Sequence, residues 1–484
     1  MLTDLAWLEP GKAFPPVAEE ARLLVYEQNE AFFLSRHAEV WQASFERLAR
    51  QISRSAKPID AVFNYHQLLT KKTADFICGE PPELEIAESN TANTTDGLDA
   101  ILRKQRFFAK LYELFIDVSR FGNGIAKIVD TRLSVVAPRH WFPIVDPADL
   151  KEITQHVIAY PIMPDDDGIP TQLYVEIHSL GTVEIRQHSL IAKRSTGDAS
   201  KAKGLEIGNM LEAPRTETTR LEGFAVLPLT NVTHSSSIYG LDDYSIINSL
   251  IEKLIWRLHC ADIILDKHSE PSMSGPSSAL EWDNREGGYI IHVGNFFKRD
   301  GLQDPEMSYI TWNGNLESNF KEIDLLLNQI YVLTEMGAAF MEGNSAGGSS
   351  SGTALKLRLV SPRIKAQRLV GLNDATVRDM IAAVASANGL HFNPDDLQLS
   401  WQDGLPSDPV EDANRRNIET AGKQTKSQWT AIKERGLSDD EVEEELEQMR
   451  EEAMISAPNI LATEDPFAQG EPFEQEELDN GQPE

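Results

Sequence analysis

Residues 316–369 read LESNFKEIDLLLNQIYVLTEMGAAFM (316–341), EGNSAGGSSSG (342–352) and TALKLRLVSPRIKAQRL (353–369). In the first segment Leu316, Phe320, Ile323, Leu327, Ile330 and Leu333 recur at three- and four-residue steps, the stripe of an amphipathic helix. Glu317, Lys321, Asp324, Asn328, Tyr331 and Glu335 recur in the same way on another face, which the pattern leaves wet. The spacing predicts one helix over 316–341, about 39 Å long at 1.5 Å per residue. The glycines and serines that follow give too little apolar mass to pack. Such a segment between two helices is a linker or a working part.

A second long helix is expected over 241–267, where Ile247, Leu250, Ile251, Leu254, Ile255 and Leu258 share one broad face. Between the two lies a small β unit (268–315), with GGYIIHV and MSYITWN as its strands. The order helix, β insert, helix puts the insert at the far tip of an antiparallel helical pair. Beyond the Gly-Ser segment a helix from Thr353 meets Ser361-Pro362, where proline predicts a kink, and it closes at Asn388-Gly389. A strand (LQLSW, 397–401) returns after it. Helices are expected over 410–422, 427–435 and from Ser438, where Glu441 completes a capping box.

The first 240 residues combine helices and a meander. One helix is expected over 18–56, a second ending at Gly79-Glu80-Pro81-Pro82, a short strand over 83–86 and a third helix over 98–119. The period then changes to two in IAKIVD, LSVVAP, QHVIAYPI, QLYVEIHSL and TVEIRQHSL, and again in FAVLPLTNV. Residues 192–222 are polar and read as irregular. Lys193, Arg194, Lys201 and Lys203 there fit a solvated loop better than a nucleic-acid patch.

The formal net charge of −31 is unevenly spread, because residues 437–484 hold 17 acids against one arginine. The last part of that stretch, 457–484, acidic and poor in apolar residues, is expected to be disordered. The mildly acidic body argues against tight, sequence-independent gripping of nucleic acid, which rests on Lys and Arg neutralising phosphates. Two distant cysteines, Cys78 and Cys260, give neither a disulfide framework nor a zinc cluster, which fits a reducing compartment. The start lacks a basic n-region and a continuous apolar core, so no signal peptide is indicated and a soluble intracellular protein is expected. No run of 18 apolar residues would span a membrane.

Catalytic motifs are near misses. Gly348-Ser349-Ser350-Ser351-Gly352 fits G-x-S-x-G with Ser350 as nucleophile, yet a helix precedes it where the strained elbow needs a strand. Residues 347–353 approach a phosphate loop, but Thr353 stands where lysine belongs and Lys356 comes almost a turn too late. His66, His259 and His292 have no paired metal-ligand spacing and read as structural. Asp242-Asp243 and Asp439-Asp440 read as carboxylates at helix starts. No catalytic residue, metal or cofactor is expected.

Four stretches together resemble the portal proteins of tailed bacteriophages, of the type found in phages with long non-contractile tails. They are NYHQLLTKKTADFICGEPPEL; FGNGIAKI with VVAPRHWFPIVDPAD; GNSAGGSSSGTALKLRL; and LSWQDGLPSDPVEDAN with ERGLSDDEVEEELEQMREE. Their order and spacing cover about residues 58–455. The resemblance implies an α+β portal fold: a wing (1–240), stem helices (241–267 and 316–341), a clip at the stem tip (268–315) and a tunnel loop (342–352). A kinked helix with the returning wing strand (353–409), a helical crown (410–456) and the disordered acidic tail (457–484) complete it.

It further implies a homo-oligomeric ring, usually of twelve, at one capsid vertex. Double-stranded DNA would be packaged and later ejected through the ring. Terminase and then head-completion proteins would dock at the clip, with capsid and scaffolding proteins around it. The location would be the virion, and the host cytoplasm during assembly. Gly343, Asn344, Ser345, Gly347, Gly348, Ser349, Ser350, Ser351 and Gly352 would form the tunnel loop. Glu317, Lys321, Asp324, Asn328 and Glu335 are candidates for the channel lining. Lys356, Arg358, Arg363, Lys365 and Arg368 would touch either DNA or, the preferred reading, an adjacent subunit. Another ring-forming head–tail connector or scaffold is the alternative, and a serine hydrolase using Ser350 a remote one.

Overall fold

The structure is a computed structural model. It describes residues 1–52, 62–86, 92–195, 198–219, 221, 223–269, 273–274, 280–283, 288–291, 308–309, 316–337, 359–401, 427–433 and 439–456. The chain divides into two compact units, Met1–Leu405 and Pro406–Glu484. Helix and sheet are mixed, as expected for an α+β chain.

In the first unit, helices α1 (Glu20–Phe33) and α2 (His37–Ile52) take the place of the single helix expected over 18–56. Ser35 between them has φ 62°, a left-handed turn that ends one helix and lets the next begin. Helix α3 (Tyr65–Cys78) ends as expected and is capped at its start by Asn64, whose side chain accepts from the Gln67 N–H at 2.8 Å. Strand β2 (Glu83–Ile86) follows. The helix expected over 98–119 is two, α4 (Ala92–Gln105) and α5 (Phe107–Phe121), broken at Arg106 with φ 51°. Both breaks escape a reading by period because no glycine or proline marks them.

The meander forms two antiparallel sheets. The larger contains β5 (Trp141–Val145), β6 (Ile153–Pro164), β7 (Pro170–Ser179), β8 (Thr182–Ser195) and β9 (Asp198–Met210), with the short β1 (Ala13–Phe14) beside β9 and β10 (Arg215–Thr218) beside β8. The smaller runs β11 (Val226–Thr230), β3 (Asn123–Val129), β4 (Arg132–Val136). Alternation along β7 shows why the larger sheet can be covered on both faces. Leu173, Val175 and Ile177 join a core with Leu2, Trp7, Leu8 and Phe14 from the N-terminal segment. From the positions between them, the Glu176 carboxylate takes hydrogen bonds from Lys127 of β3 at 2.8 and 2.9 Å and pairs with His178 at 2.9 Å. Residues 192–222 thus correct the expectation of an irregular loop. Much of that stretch is the β8–β9 hairpin and β10, and Lys193 pairs with Glu206 across the hairpin at 2.5 Å.

A second core joins α3, α4 and α5 to the small sheet and to the long helix α8 (Val360–Ala387), with Leu98, Phe107, Leu114, Phe115, Val377, Met380 and Ile381 all but fully buried. Each such side chain contributes about 1.5–3 kcal/mol of transfer free energy.

A third core joins α1 and α2 to helices α6 (Asn248–Ser269) and α7 (Leu316–Leu333). Both are shorter than expected: α6 starts seven residues late and α7 stops at Leu333 instead of 341. They run antiparallel, as two contacts show. Glu322, early in α7, pairs with Lys253 at 2.9 Å and Arg257 at 3.1 Å in α6. At the other end Lys365 bridges Thr334, just past α7, to Asp243, just before α6. In the segment between α6 and α7, β12 (Met273–Ser274) pairs with β15 (Ser308–Tyr309), and β13 (Leu280–Asp283) pairs with β14 (Gly288–Ile291). The two expected strands are therefore not each other's partners. Strand β16 (Leu397–Ser400) follows α8 where the sequence puts a returning strand, and the structure pairs it with β2.

In α8, Pro362 falls in the first turn, where a missing N–H costs no helical hydrogen bond, so it opens this helix instead of kinking it as expected. Residues 353–358 lie outside the described residues. So do 342–352, the helix expected over 410–422, Ser438 of the capping box and the tail from 457. The second unit shows α9 (Gln428–Lys433) and α10 (Asp439–Ser456) in the places expected.

Candidate functional site

The lead into α6 is built to lie against the end of α5. Helix α5 closes at Gly122 (φ 81°), and the Gly122 carbonyl accepts from the Asn231 N–H at 2.8 Å. Gly240 crosses this point so closely that a Cβ on either glycine would lie 2.0 Å from the other's carbonyl oxygen. Both positions must therefore lack a side chain. Asp242 then caps a turn: Oδ1 accepts from the N–H groups of Tyr244 (2.9 Å) and Ser245 (2.7 Å). The acidic pair thus sits before the helix rather than in its first turn, and its two members do different work.

Asp243 points inward. Its carboxylate accepts from Ser119 Oγ at 2.6 Å and Asn231 Nδ2 at 3.2 Å, and Lys365 Nζ lies 3.1 Å from Oδ2. The pair is nearly sealed from water, with Lys365 and Asp243 side chains 6% and 11% exposed. Lys365 Nζ is also 3.4 Å from the Thr334 carbonyl. Three segments accordingly meet at one ammonium: the lead into α6, the residue just past α7 and the second turn of α8, which carries it.

Three residues further along α8, the Arg368 guanidinium donates to Glu335 Oε1 at 2.6 Å. Glu335 has φ 62°, so the chain turns sharply off α7 in a conformation that side chains disfavour. Further along α8, the Asn373 amide accepts from the Thr230 N–H and donates to the Thr230 carbonyl, both at 2.8 Å, tying α8 to β11. The joint fixes where the chain leaves for residues 338–358 and where it comes back.

Beside the joint, a buried hydrogen-bond chain reaches the first residue of α6. His37 Nε2 lies 3.0 Å from His66 Nδ1, and His66 Nε2 lies 2.9 Å from Asn248 Oδ1. The His66 ring stacks on Phe32 with centroids 4.6 Å apart. Burial holds both imidazoles neutral, lowering His37 to about 4 and His66 to about 3; for His66 the neighbouring His37 adds to the effect. Tyr244 OH and Thr70 Oγ1 share a hydrogen bond of 2.7 Å on the same helix root.

The expected site residues fall into three groups. Glu317, Lys321, Asp324 and Asn328 stand exposed on α7, with Lys321 2.6 Å from Glu317. Tyr331, read with that wet face, is buried, while Leu325 and Val332 are exposed. Glu335 lies past the helix, in its pair with Arg368. In the basic cluster Lys365 and Arg368 are paired within their own chain and Arg363 is exposed; Lys356 and Arg358 lie outside the described residues. So do Gly343, Asn344, Ser345, Gly347, Gly348, Ser349, Ser350, Ser351 and Gly352. Asp243, Ser119, Asn231, Thr334, Asn373, Gly122 and Gly240 have roles here that neither period nor motif reveals. A lysine on the buried side of α8 is the one signal of the joint that the sequence offers. Among the described residues no group of His, Cys, Asp or Glu could hold a metal ion, and no helix is long and apolar enough to cross a membrane.

Residues 45–187 match the family described as phage portal protein, SPP1 Gp6-like. No curated protein matches the chain. Among solved structures, a chain from the neck of an empty GTA particle, computed with C6 symmetry, is similar at 12% identity and a TM-score of 0.38, over 78% of this chain and 89% of that one. A chain from the neck of the native GTA particle, computed with C12 symmetry, is similar at 12% identity and a TM-score of 0.38, over 77% and 89%. A third, from the virion of the native gene transfer agent particle, has 12% identity and a TM-score of 0.35, over 81% and 92%. Likeness at those scores is too weak to bear on function. Over residues 45–187 the chain is similar to phage portal proteins, and that span holds two of the four stretches, NYHQLLTKKTADFICGEPPEL and FGNGIAKI with VVAPRHWFPIVDPAD, on which the resemblance rests.

Proposed function

We propose that this chain is the subunit of a portal: a ring at one capsid vertex through which double-stranded DNA enters during packaging and leaves on ejection. The family match over residues 45–187 carries the reading. The antiparallel pair α6–α7, with paired strands in the chain between its distal ends, supports it as a stem with a clip. In this reading 342–352 is the tunnel loop and twelve is the expected subunit number. Terminase and then head-completion proteins dock at the clip. The chain is a conduit and catalyses nothing itself.

The charge of α7 suits a conduit. With Glu335 turned to Arg368, Glu317 and Asp324 against Lys321 leave one net negative charge on the strip per subunit. A ring repeats that charge by symmetry. Phosphates meet no basic trap there, which a channel passing DNA in both directions requires.

Negative-stain microscopy of the purified protein tests the reading: rings with a central hole are expected, and monomers would overturn it. Cross-linking of packaged DNA to probes placed at Asp324 and Asn328 tests the lumen-facing strip, and absence of adducts at both would remove α7 from the channel wall.

A further inference from the structure

Residues 338–358 leave the described fold at Gly337 and rejoin it at Leu359, and polar links tie the two ends together. Glu335 and Arg368 form one, at 2.6 Å. Lys365 forms the other, reaching the Thr334 carbonyl at 3.4 Å while it pairs with Asp243 at 3.1 Å. Asp243 is held in turn by Ser119 and Asn231, which belong to α5 and to the lead into α6. Both ends of the segment are thus fastened to each other and to the body of the same chain.

The backbone here points the same way. Glu335 takes up a left-handed conformation that glycine or asparagine usually fills at a helix end. Gly337 stands two residues further on, and the turn is nevertheless made at the residue whose carboxylate meets Arg368. Met336, next in the chain, is buried at 1% exposure in the core that includes α6 and α7. The end of α7 thus meets α8 through the Glu335–Arg368 ion pair and through the contact of Lys365 with the Thr334 carbonyl.

We infer that Glu335, Arg368 and Lys365 form a clamp within each subunit that positions the ends of the 338–358 segment. The clamp is a property of the single chain and works without a neighbouring subunit. Its consequence for DNA rests on the portal reading: each subunit would present its tunnel loop from a base fixed to its own body. Glu335, Arg368 and Lys365 are positioning residues and touch no DNA in this account.

Charge reversal at the more exposed pair tests the clamp. Arg368→Glu, Glu335→Arg and the double variant would be compared by hydrogen exchange of the amides at 334–337 and 360–366 in the purified protein. Each single variant is expected to exchange roughly tenfold faster there, and the double variant to return close to the parent rate. Singles that exchange like the parent, or a double that gives no rescue, would overturn the clamp whether or not the protein is a portal. In phage carrying these variants, heads with portal rings should form in every case. The DNA-filled fraction should fall roughly tenfold in the singles and recover in the double. Faster exchange with undiminished packaging would overturn the positioning role. Bulky residues at Gly347 and Gly348 give the separate control: unimpaired packaging in that variant would sink the tunnel-loop reading itself, and the exchange rates alone would then decide the clamp.

Discussion

Lys365 Nζ stands 3.1 Å from Asp243 Oδ2, both side chains almost free of solvent, where the lead into one long helix meets the second turn of another. A buried charge is tolerated in a protein interior only with a partner and further hydrogen bonds. Here Ser119 and Asn231 supply them to the carboxylate.

Removing either partner strands the other. Lys365→Met and Asp243→Asn are each expected to lower unfolding free energy, with about 3–5 kcal/mol for the lysine variant, which leaves an unpaired buried carboxylate. Urea denaturation followed by tryptophan fluorescence measures this. A loss under about 1 kcal/mol in Lys365→Met would show that water reaches the joint.

The crossing of Gly122 and Gly240 leaves no room for a methyl group on either residue. Gly240→Ala and Gly122→Ala should each cost about 3 kcal/mol or more, by steric overlap in both cases and by left-handed backbone as well at Gly122. Thermal melts compare them with Gly371→Ala, whose Cβ would meet nothing within 4 Å. That helical control should be neutral or mildly stabilising.

Acid should loosen the root of α6 through the histidine chain. His37 and His66 titrate in the folded protein near 4 and 3, below the 6.5 of a free imidazole, so the unfolded chain takes up protons first as pH falls. Their contribution is complete above pH 6.5 and is lost progressively from there down towards pH 4, at up to about 1.4 kcal/mol per pH unit for each ring. Stability measured between pH 7 and 4.5 should fall less steeply in a His37→Phe/His66→Asn variant than in the parent. Equal slopes would mean that these two rings are not the groups responsible.

Between the sheets, burial pushes the Glu176 carboxyl upward, but hydrogen bonds from His178 and Lys127 outweigh it and leave the group below its ordinary value. Its pairing therefore stabilises the fold above about pH 4.5 and is lost as pH falls through the lowered value. Glu176→Gln should destabilise by about 3 kcal/mol at neutral pH, because the nearly buried Lys127 ammonium loses its counter-charge. Denaturation at pH 7 checks the size of the effect.

Much of this fold is legible from period and punctuation. The Gly79-Glu80-Pro81-Pro82 stop, the β meander, the strands at 83–86 and 397–400 and the close of α8 at Asn388-Gly389 fall where the sequence puts them, while the pairing of those two strands is a finding of the structure. Each is a local signal: glycine or proline at an end, or an apolar face of clear period. The β8–β9 hairpin escapes such a reading because its second strand carries Ser, Lys and Gly in place of alternating apolar residues; among its described residues Leu205 and Ile207 meet the core.

The sequence by itself determined most of the order of elements and the apolar faces of α6 and α7, because period and punctuation are local. Tertiary structure alone decided where helices break and what the charges do. Ser35, Arg106 and Glu335 turn left-handed with no glycine at the position to announce it, and at Ser35 and Glu335 a residue distant in sequence, Asn64 and Arg368 in turn, meets the turn. Lys365 and Arg368 read as a basic cluster in the linear chain, yet Asp243 and Glu335 take both charges into intramolecular pairs. Period reports which side of a helix is buried. It does not report which carboxylate waits on that side.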